Sequence, residues 1–244
     1  MDVAPHVLFR SAARPLVPDQ RRRAALAGTT RIEVQIVSGF ILPTATEIRD
    51  IAIRHGKIKK RVNAIAALFC GMFPALWLAF HSHPTWQAWL LGVTIGLIWG
   101  NAFEYAYHRF LLHCPRTHHG AAHQEHHAQI GTPTEAEFVA LISSPLNIVL
   151  LFVINGVPAF LISVLLGSQG ILCGVFLGWS AYLILCEEVH WRIHMNSWLP
   201  PGLHFARAYH MSHHDIPNSR YNVFLPLFDL LLGNTEIGKS KVPV

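Results

Sequence analysis

Histidine is the residue type on which the chemistry of this chain turns. Seven fall within twenty residues: His108, His113, His118, His119, His123, His126 and His127. An HX3H pair follows at His190 and His194, and an HX2HH triplet at His210, His213 and His214. Neutral imidazole is the commonest protein metal ligand. A solvated surface has no need of this density, and an ordinary core cannot satisfy so many ring nitrogens. The clusters therefore point to a metal centre. The spacing within each cluster carries further information. His108 and His113 form HX4H, and five residues of straight helix turn their rings apart by roughly 140°. The helix must distort or end between them, and Cys114-Pro115 supplies a reason for an end. One ring for each of two metals is then an expectation.

Offsets of three and four place His123 beside His126 and His127 on one helical face. His119 lies one turn earlier and is expected to support the site without ligating, whereas His118 points elsewhere and reads as a surface residue. Glu104, one turn before His108, is placed to accept that ring's second N–H, or else to pair with Arg109. Glu187, three before His190, either orients or ligates there, or together with Glu188 caps the apolar run at the membrane interface. Ten imidazoles (His108, His113, His123, His126, His127, His190, His194, His210, His213, His214) are too many for one tetrahedral zinc, which uses four ligands, or three when catalytic. They suffice for two metals of higher coordination number. No HExxH, no complete Glu-x-x-His pair of the soluble di-iron kind, no zinc-deaminase PCxxC, no phosphate-binding glycine loop and no GxSxG elbow is present.

The elements that must position these rings are apolar. Hydrophobic residues make up 52% of the 244 and charged residues only 14%, well below the quarter usual in soluble domains. Not one Asp, Glu, Lys or Arg occurs from Val62 to Phe103 or from Phe138 to Cys186. With about 20 apolar residues needed per crossing, each stretch holds two spans. The turns fall at His81-Ser82-His83-Pro84-Thr85 and at Gly167-Ser168-Gln169-Gly170. Twelve of the 19 Lys and Arg lie in the first 61 residues, and neither hairpin turn carries one. The positive-inside rule then places the amino-terminal arm and all the histidine clusters on the cytoplasmic face, and His81 and His83 on the far side. Such a basic block next to apolar spans fits anionic lipid better than nucleic acid. The four cysteines form no CxxC pair, which argues against a disulfide framework. Residues 1–61 read as a cytosolic arm without a secretory h-region, with a short strand over 31–37 and a basic run from Arg54 to Arg61. Residues 62–244 read as the membrane domain. The expected fold is all-α: an integral membrane four-helix scaffold with a cytosolic helical cap carrying a histidine-rich dimetal site.

The combined HX4H, HX2HH, HX3H and HX2HH pattern on four spans resembles the membrane fatty acid hydroxylase and sterol desaturase superfamily. The most telling strings are Glu104-Tyr105 leading into His108-Arg109-Phe110-Leu111-Leu112-His113, and Tyr209-His210 leading into His213-His214. Tyr221-Asn222 and Leu227-Phe228-Asp229 to Gly233-Asn234-Thr235 resemble the family's ending, with Asn222 in place of a glycine and Phe228 in place of a tryptophan. The resemblance implies a centre of two iron ions held by the ten imidazoles, with zinc the alternative occupant. It further implies O2-dependent hydroxylation or desaturation of a fatty acyl, sphingolipid or sterol-like lipid. Electrons would come from an external carrier, cytochrome b5-like or a ferredoxin with its reductase, since the chain shows no haem or flavin domain. The site would face the cytoplasm, in the endoplasmic reticulum of a eukaryote or the cytoplasmic membrane of a bacterium. After the second cluster the fatty acid 2-hydroxylase pattern fails at Pro133-Thr134-Glu135 and Ser143-Ser144-Pro145, and Met195 stands where a further histidine is common. The substrate therefore does not carry over. The rival readings are a membrane zinc hydrolase acting on a lipid amide and a non-catalytic metal-binding membrane protein. Tyr221 to Leu232 is expected to form a helix at the interface, lining the substrate entrance.

Overall fold

The computed structural model describes residues 43–235, and the backbone of a strand pair before them. The chain divides into two compact units, residues 1–44 and 45–244. In the first, β1 (Ile36–Val37) and β2 (Phe40–Ile41) pair antiparallel, with Val37 opposite Phe40. The strand expected over 31–37 is thus seen at its last two residues; residues 31–35, and the arm over 1–30, lie outside those described.

The described part of the second unit is helical. Its first helix, α1 (Ala45–Ser82), runs 38 residues without a break. The boundary expected at residue 61 falls inside it: four lysines and arginines from Lys57 to Arg61 favour the helix, and Gly56, a poor helix former, is kept because it packs on the buried face. One stripe of mostly small residues, Ala52, Gly56, Asn63, Ala67, Gly71, Ala75 and Leu78, is its buried face. There follow α2 (Trp86–Ala106), a π-helical turn (Tyr107–Leu112), α3 (His118–Ala128), α4 (Glu135–Phe138), α5 (Pro145–Leu165), α6 (Gln169–His194), α7 (His204–Asp215) and α8 (Leu227–Leu231). Thr85, Thr117 and Ser144 cap α2, α3 and α5, each side chain accepting a backbone N–H of the first turn.

Among the described residues, α1, α5 and α6 are long and apolar enough to cross a membrane. Four such helices are expected from the sequence. The fourth, α2, has the length, at 21 residues, but its apolar run is diluted by Gln87, three tryptophans and Asn101. Large apolar side chains stand exposed along these helices, among them Phe69, Phe73, Ile154 and Leu165. An unbroken surface of this kind is stable against lipid and not against water.

The backbones of α2 and α6 approach closely because glycines face each other. A methyl group on Gly96 would lie 2.4 Å from the Val175 carbonyl oxygen, and one on Gly178 2.3 Å from that of Val93. Gly92, Gly100 and Gly174 extend the contact. Small residues at intervals of four are the standard way for helices to pack closely in lipid. The stripe Gly92-x3-Gly96-x3-Gly100 was present in the sequence as a signal for this pair. Trp179, on α6, belongs to the apolar core and stacks on Phe152 of α5 at 4.3 Å. The π-helical turn, α3, α4 and α7 gather at the end of the bundle where α2 and α6 finish, and His81 and His83 lie at the α1–α2 turn. The interfacial helix expected over Tyr221 to Leu232 is not formed. Only Leu227–Leu231 is helical, and Tyr221, Asn222 and Val223 are buried. Asp229 explains this, since its carboxylate accepts the backbone N–H groups of Tyr221 (2.9 Å) and Asn222 (2.7 Å), drawing that strip inward.

Candidate metal centre

Ten imidazoles converge in two groups of five. One comprises His108, His113, His123, His127 and His213; the other His126, His190, His194, His210 and His214. In each, one candidate donor atom per residue lies within 4.8 Å of all the others. Every histidine expected as a ligand falls in one group or the other. Their partition differs from the expectation at one point: His108 and His113 serve the same group, not one metal each. The distortion between them is the π-helical turn, in which the His113 N–H bonds to the His108 carbonyl at 3.2 Å. An i→i+5 bond sets position i+5 almost one turn on from i, so the rings face together, 5.1 Å apart. Each HX2HH motif instead divides between the groups. His123 and His127 join the first and His126 the second; His213 joins the first and His210 and His214 the second. Adjacent helical positions point about 100° apart, so a single α3 and a single α7 can each face both groups. The groups touch where His127 and His214 meet, Nδ1 to Nδ1 at 3.1 Å.

The outer ring nitrogens fix the tautomers. His108 Nδ1 lies against the Tyr221 carbonyl oxygen, His213 Nδ1 against that of Ser219 (2.6 Å) and His194 Nδ1 against the Glu135 carboxylate (3.0 Å). Such oxygens only accept, so these Nδ1 atoms carry the proton and leave lone pairs on Nε2. In the second group four Nε2 atoms crowd together: His210 lies 2.9 Å from His190, 3.1 Å from His194 and 3.0 Å from His214. One N–H cannot satisfy three neighbours, and the lone pair fixed on His194 faces others. In addition Nδ1 and Nε2 of His126, and Nδ1 of His190 and His210, are buried without a hydrogen-bond partner. Buried polar groups are nearly always partnered. Converging lone pairs and orphaned nitrogens are what a bound cation resolves, so these residues fit a metal in each group.

Burial also keeps the rings neutral. It lowers His108, His123, His126, His210 and His214, with the neighbouring imidazoles adding to the effect. It takes His213 to about 3 and His127 to about 4. Unprotonated imidazole is the ligand form, so the rings are ready to bind at neutral pH.

The acidic residues act at one remove. Glu104 does not touch His108 and does not pair with Arg109, whose guanidinium goes to the Tyr105 hydroxyl. Its carboxylate accepts the Tyr182 hydroxyl (2.6 Å), Cys186 thiol (2.9 Å), Asn222 amide (2.8 Å) and Val223 backbone N–H (2.8 Å). It thereby fixes the strip next to Tyr221, whose carbonyl holds His108. Glu187 accepts the Leu141 N–H at 3.2 Å and touches none of the rings. Glu188 pairs with Lys60 and with Arg192. His119 bonds the Tyr107 hydroxyl at 3.1 Å and belongs to neither group; His118 is exposed. Sequence reasoning missed Glu135, Ser219 and the carbonyl of Tyr221 as ring holders. Arg220, between those two carbonyls, takes a left-handed φ of 58°, which turns both toward the rings. Backbone acceptors leave no residue-type signal, and Glu135 stands 59 positions from His194.

Residues 93–234 match the family model for fatty acid hydroxylase. The chain belongs to that family. This is the membrane fatty acid hydroxylase and sterol desaturase superfamily, whose members are membrane oxidoreductases acting on lipids. The match takes in all ten grouped histidines, together with Glu104, Glu135, Tyr221 and Asp229. It leaves out α1 and the first turns of α2. Searches of curated proteins and of solved structures gave no significant match.

Proposed function

We propose that this fatty acid hydroxylase family member holds two iron ions, one in each group of five histidines, and hydroxylates or desaturates a C–H bond of a membrane lipid with O2. The observation that carries the reading is the count and convergence of the rings: five imidazole donors per group. Zinc sites use four ligands, or three when an open position serves catalysis. Iron so held supplies the redox chemistry for C–H oxidation: R–H, O2, two electrons and two protons give R–OH and water.

The protein's own contribution is positioning and exclusion. The Tyr221 and Ser219 carbonyls and Glu135 hold three rings in the tautomer that presents Nε2 inward. Seven of the ten histidines are buried, which keeps bulk water from the reacting carbon. Glu104 and Asp229 hold the strip that carries the Tyr221 carbonyl. In this reading α2 crosses the membrane with α1, α5 and α6, and the histidine end faces the cytoplasm. The exposed Arg54, Lys57 and Arg61 of α1 form a basic face there, suited to an acidic electron carrier such as a cytochrome b5-like protein or a ferredoxin.

The test is to supply reduced, iron-loaded protein in lipid with a total lipid extract under labelled O2, and to analyse lipids and metal content. One labelled oxygen in a lipid, with two irons per chain, is the expected result. His126→Ala and His213→Ala, one in each group, should each abolish labelling and lower the metal content. One zinc per chain with lipid hydrolysis independent of O2 would replace this reading with that of a zinc hydrolase.

A further inference from the structure

A groove of about 510 Å³ runs between α2, α5 and α6, walled by apolar side chains such as Ile95, Trp99, Ala159, Ile162, Val175 and Phe176. Along α6 it extends from Ser168 to Trp179, eleven residues or about 16 Å at 1.5 Å per residue. Trp179 closes its inner end. Trp179 is 2% exposed, yet its indole N–H has no acceptor. Its ring meets Phe103 edge-on at 5.9 Å. Phe103 in turn lines a small cavity of about 30 Å³ whose other walls include His108, Glu104, Tyr107 and Leu183. A single aromatic pair therefore stands between a long apolar groove and the first group of histidines.

We infer that this groove binds the hydrocarbon tail of the lipid substrate, and that the tail passes Trp179 and Phe103 with its polar end toward the histidines. This rests on the reading of the site as a lipid oxygenase. The groove opens on a surface that faces bilayer hydrocarbon, where lipid chains are the abundant ligand. Its inner end, at Trp179, is one aromatic contact away from Phe103 and the cavity at His108.

The direction follows from lengths. Trp179 and His190, a member of the second group that adjoins the first, are eleven residues apart on α6, again about 16 Å. An extended chain advances about 1.25 Å per carbon, from carbon–carbon bonds of about 1.5 Å at about 111°. With its polar end at the histidines, a chain of about 13 carbons reaches Trp179, and any longer tail lies in the groove. Anchored instead at Ser168, a chain would need about 26 carbons before its tip reached the histidines. The carbon oxidised is accordingly one on the polar side of Trp179, and the depth of the groove selects chain length.

The test fills the groove away from the histidines. Ala159→Phe, and the smaller Ala159→Leu, are compared with Leu161→Phe on the lipid-facing side of the same helix. Two readouts are taken on iron-loaded protein: the chain lengths and oxygen positions of labelled products, and saturable quenching of tryptophan fluorescence by a fatty acid brominated at mid-chain. Ala159→Phe should shift products to shorter chains and remove the saturable quench. Ala159→Leu should do so in part, and Leu161→Phe should leave both unchanged. Unaltered products and quenching in both Ala159 variants would overturn the inference, as would label at the methyl end of the chain. Quenching that is lost in Ala159→Phe while wild-type protein makes no labelled product would keep the groove and overturn the oxygenase reading.

Discussion

Glu104→Gln isolates what a buried carboxylate that touches no metal ligand does for the centre. The two oxygens of Glu104 divide four donors. Oε1 takes the Val223 N–H and the Cys186 thiol; Oε2 takes the Tyr182 hydroxyl and the Asn222 amide. Glutamine is the same shape, but one oxygen becomes an NH2 that cannot accept. Whichever way the amide turns, two donors lose their acceptor. The Tyr182 hydroxyl can rotate and the thiol is a weak donor, so the lasting loss is one N–H, of Asn222 or Val223, facing another N–H group. A buried donor left without a partner costs about 1–3 kcal/mol, or about 5- to 150-fold at 1.4 kcal/mol per tenfold. The strain falls next to Tyr221, whose carbonyl holds His108. Loss of an outer partner of a metal-bound histidine typically costs about 10- to 100-fold in affinity, which agrees in size. Because only the first group contains His108, the loss is selective. Dialysis of metal-loaded protein against increasing chelator should strip Glu104→Gln of one metal at a concentration where the wild type retains both. The second metal should leave at the wild-type concentration. Simultaneous loss of both metals, or wild-type retention of both, would refute the reasoning.

Two further outcomes follow from packing and burial. Gly96→Ala places a methyl group 2.4 Å from the Val175 carbonyl oxygen, so α2 and α6 must separate; overpacking of this kind costs about 1–3 kcal/mol. A lower thermal midpoint in detergent is expected, and an unchanged one would show that the helices are not in close contact. In metal-free protein, burial holds His213 at about 3 and His127 at about 4, against an unfolded value near 6.5. The unfolded chain then takes up protons that the folded chain refuses, so stability is intact above about pH 6.5 and is lost progressively as pH falls toward those folded values. A thermal midpoint that stays flat between pH 7 and pH 4.5 after chelation would contradict this.

The sequence by itself determined which residues gather at the centre. Histidine clusters at helical offsets declare rings that share a helix face whatever their neighbours are, and charge-free stretches of 42 and 49 residues declare long apolar helices, because both depend on local periodicity and composition. The need for a break between His108 and His113 was also legible, since a straight helix cannot bring those rings together. What local pattern cannot express is how rings from one helix are shared. His126 lies between His123 and His127 in sequence, but its ring stands 5.5 and 5.8 Å from theirs, which are 4.6 Å apart, and its group was settled only when α6 and α7 brought His190, His194, His210 and His214 alongside. Glu104 is the clearest case of tertiary decision. Helical spacing aims it at His108, but Tyr182, Cys186 and the 222–223 strip supply four donors, and the backbone carbonyl of Tyr221 takes the ring instead. An acceptor on the main chain is the same for every residue type, so its place in the site exists only once the chain has folded.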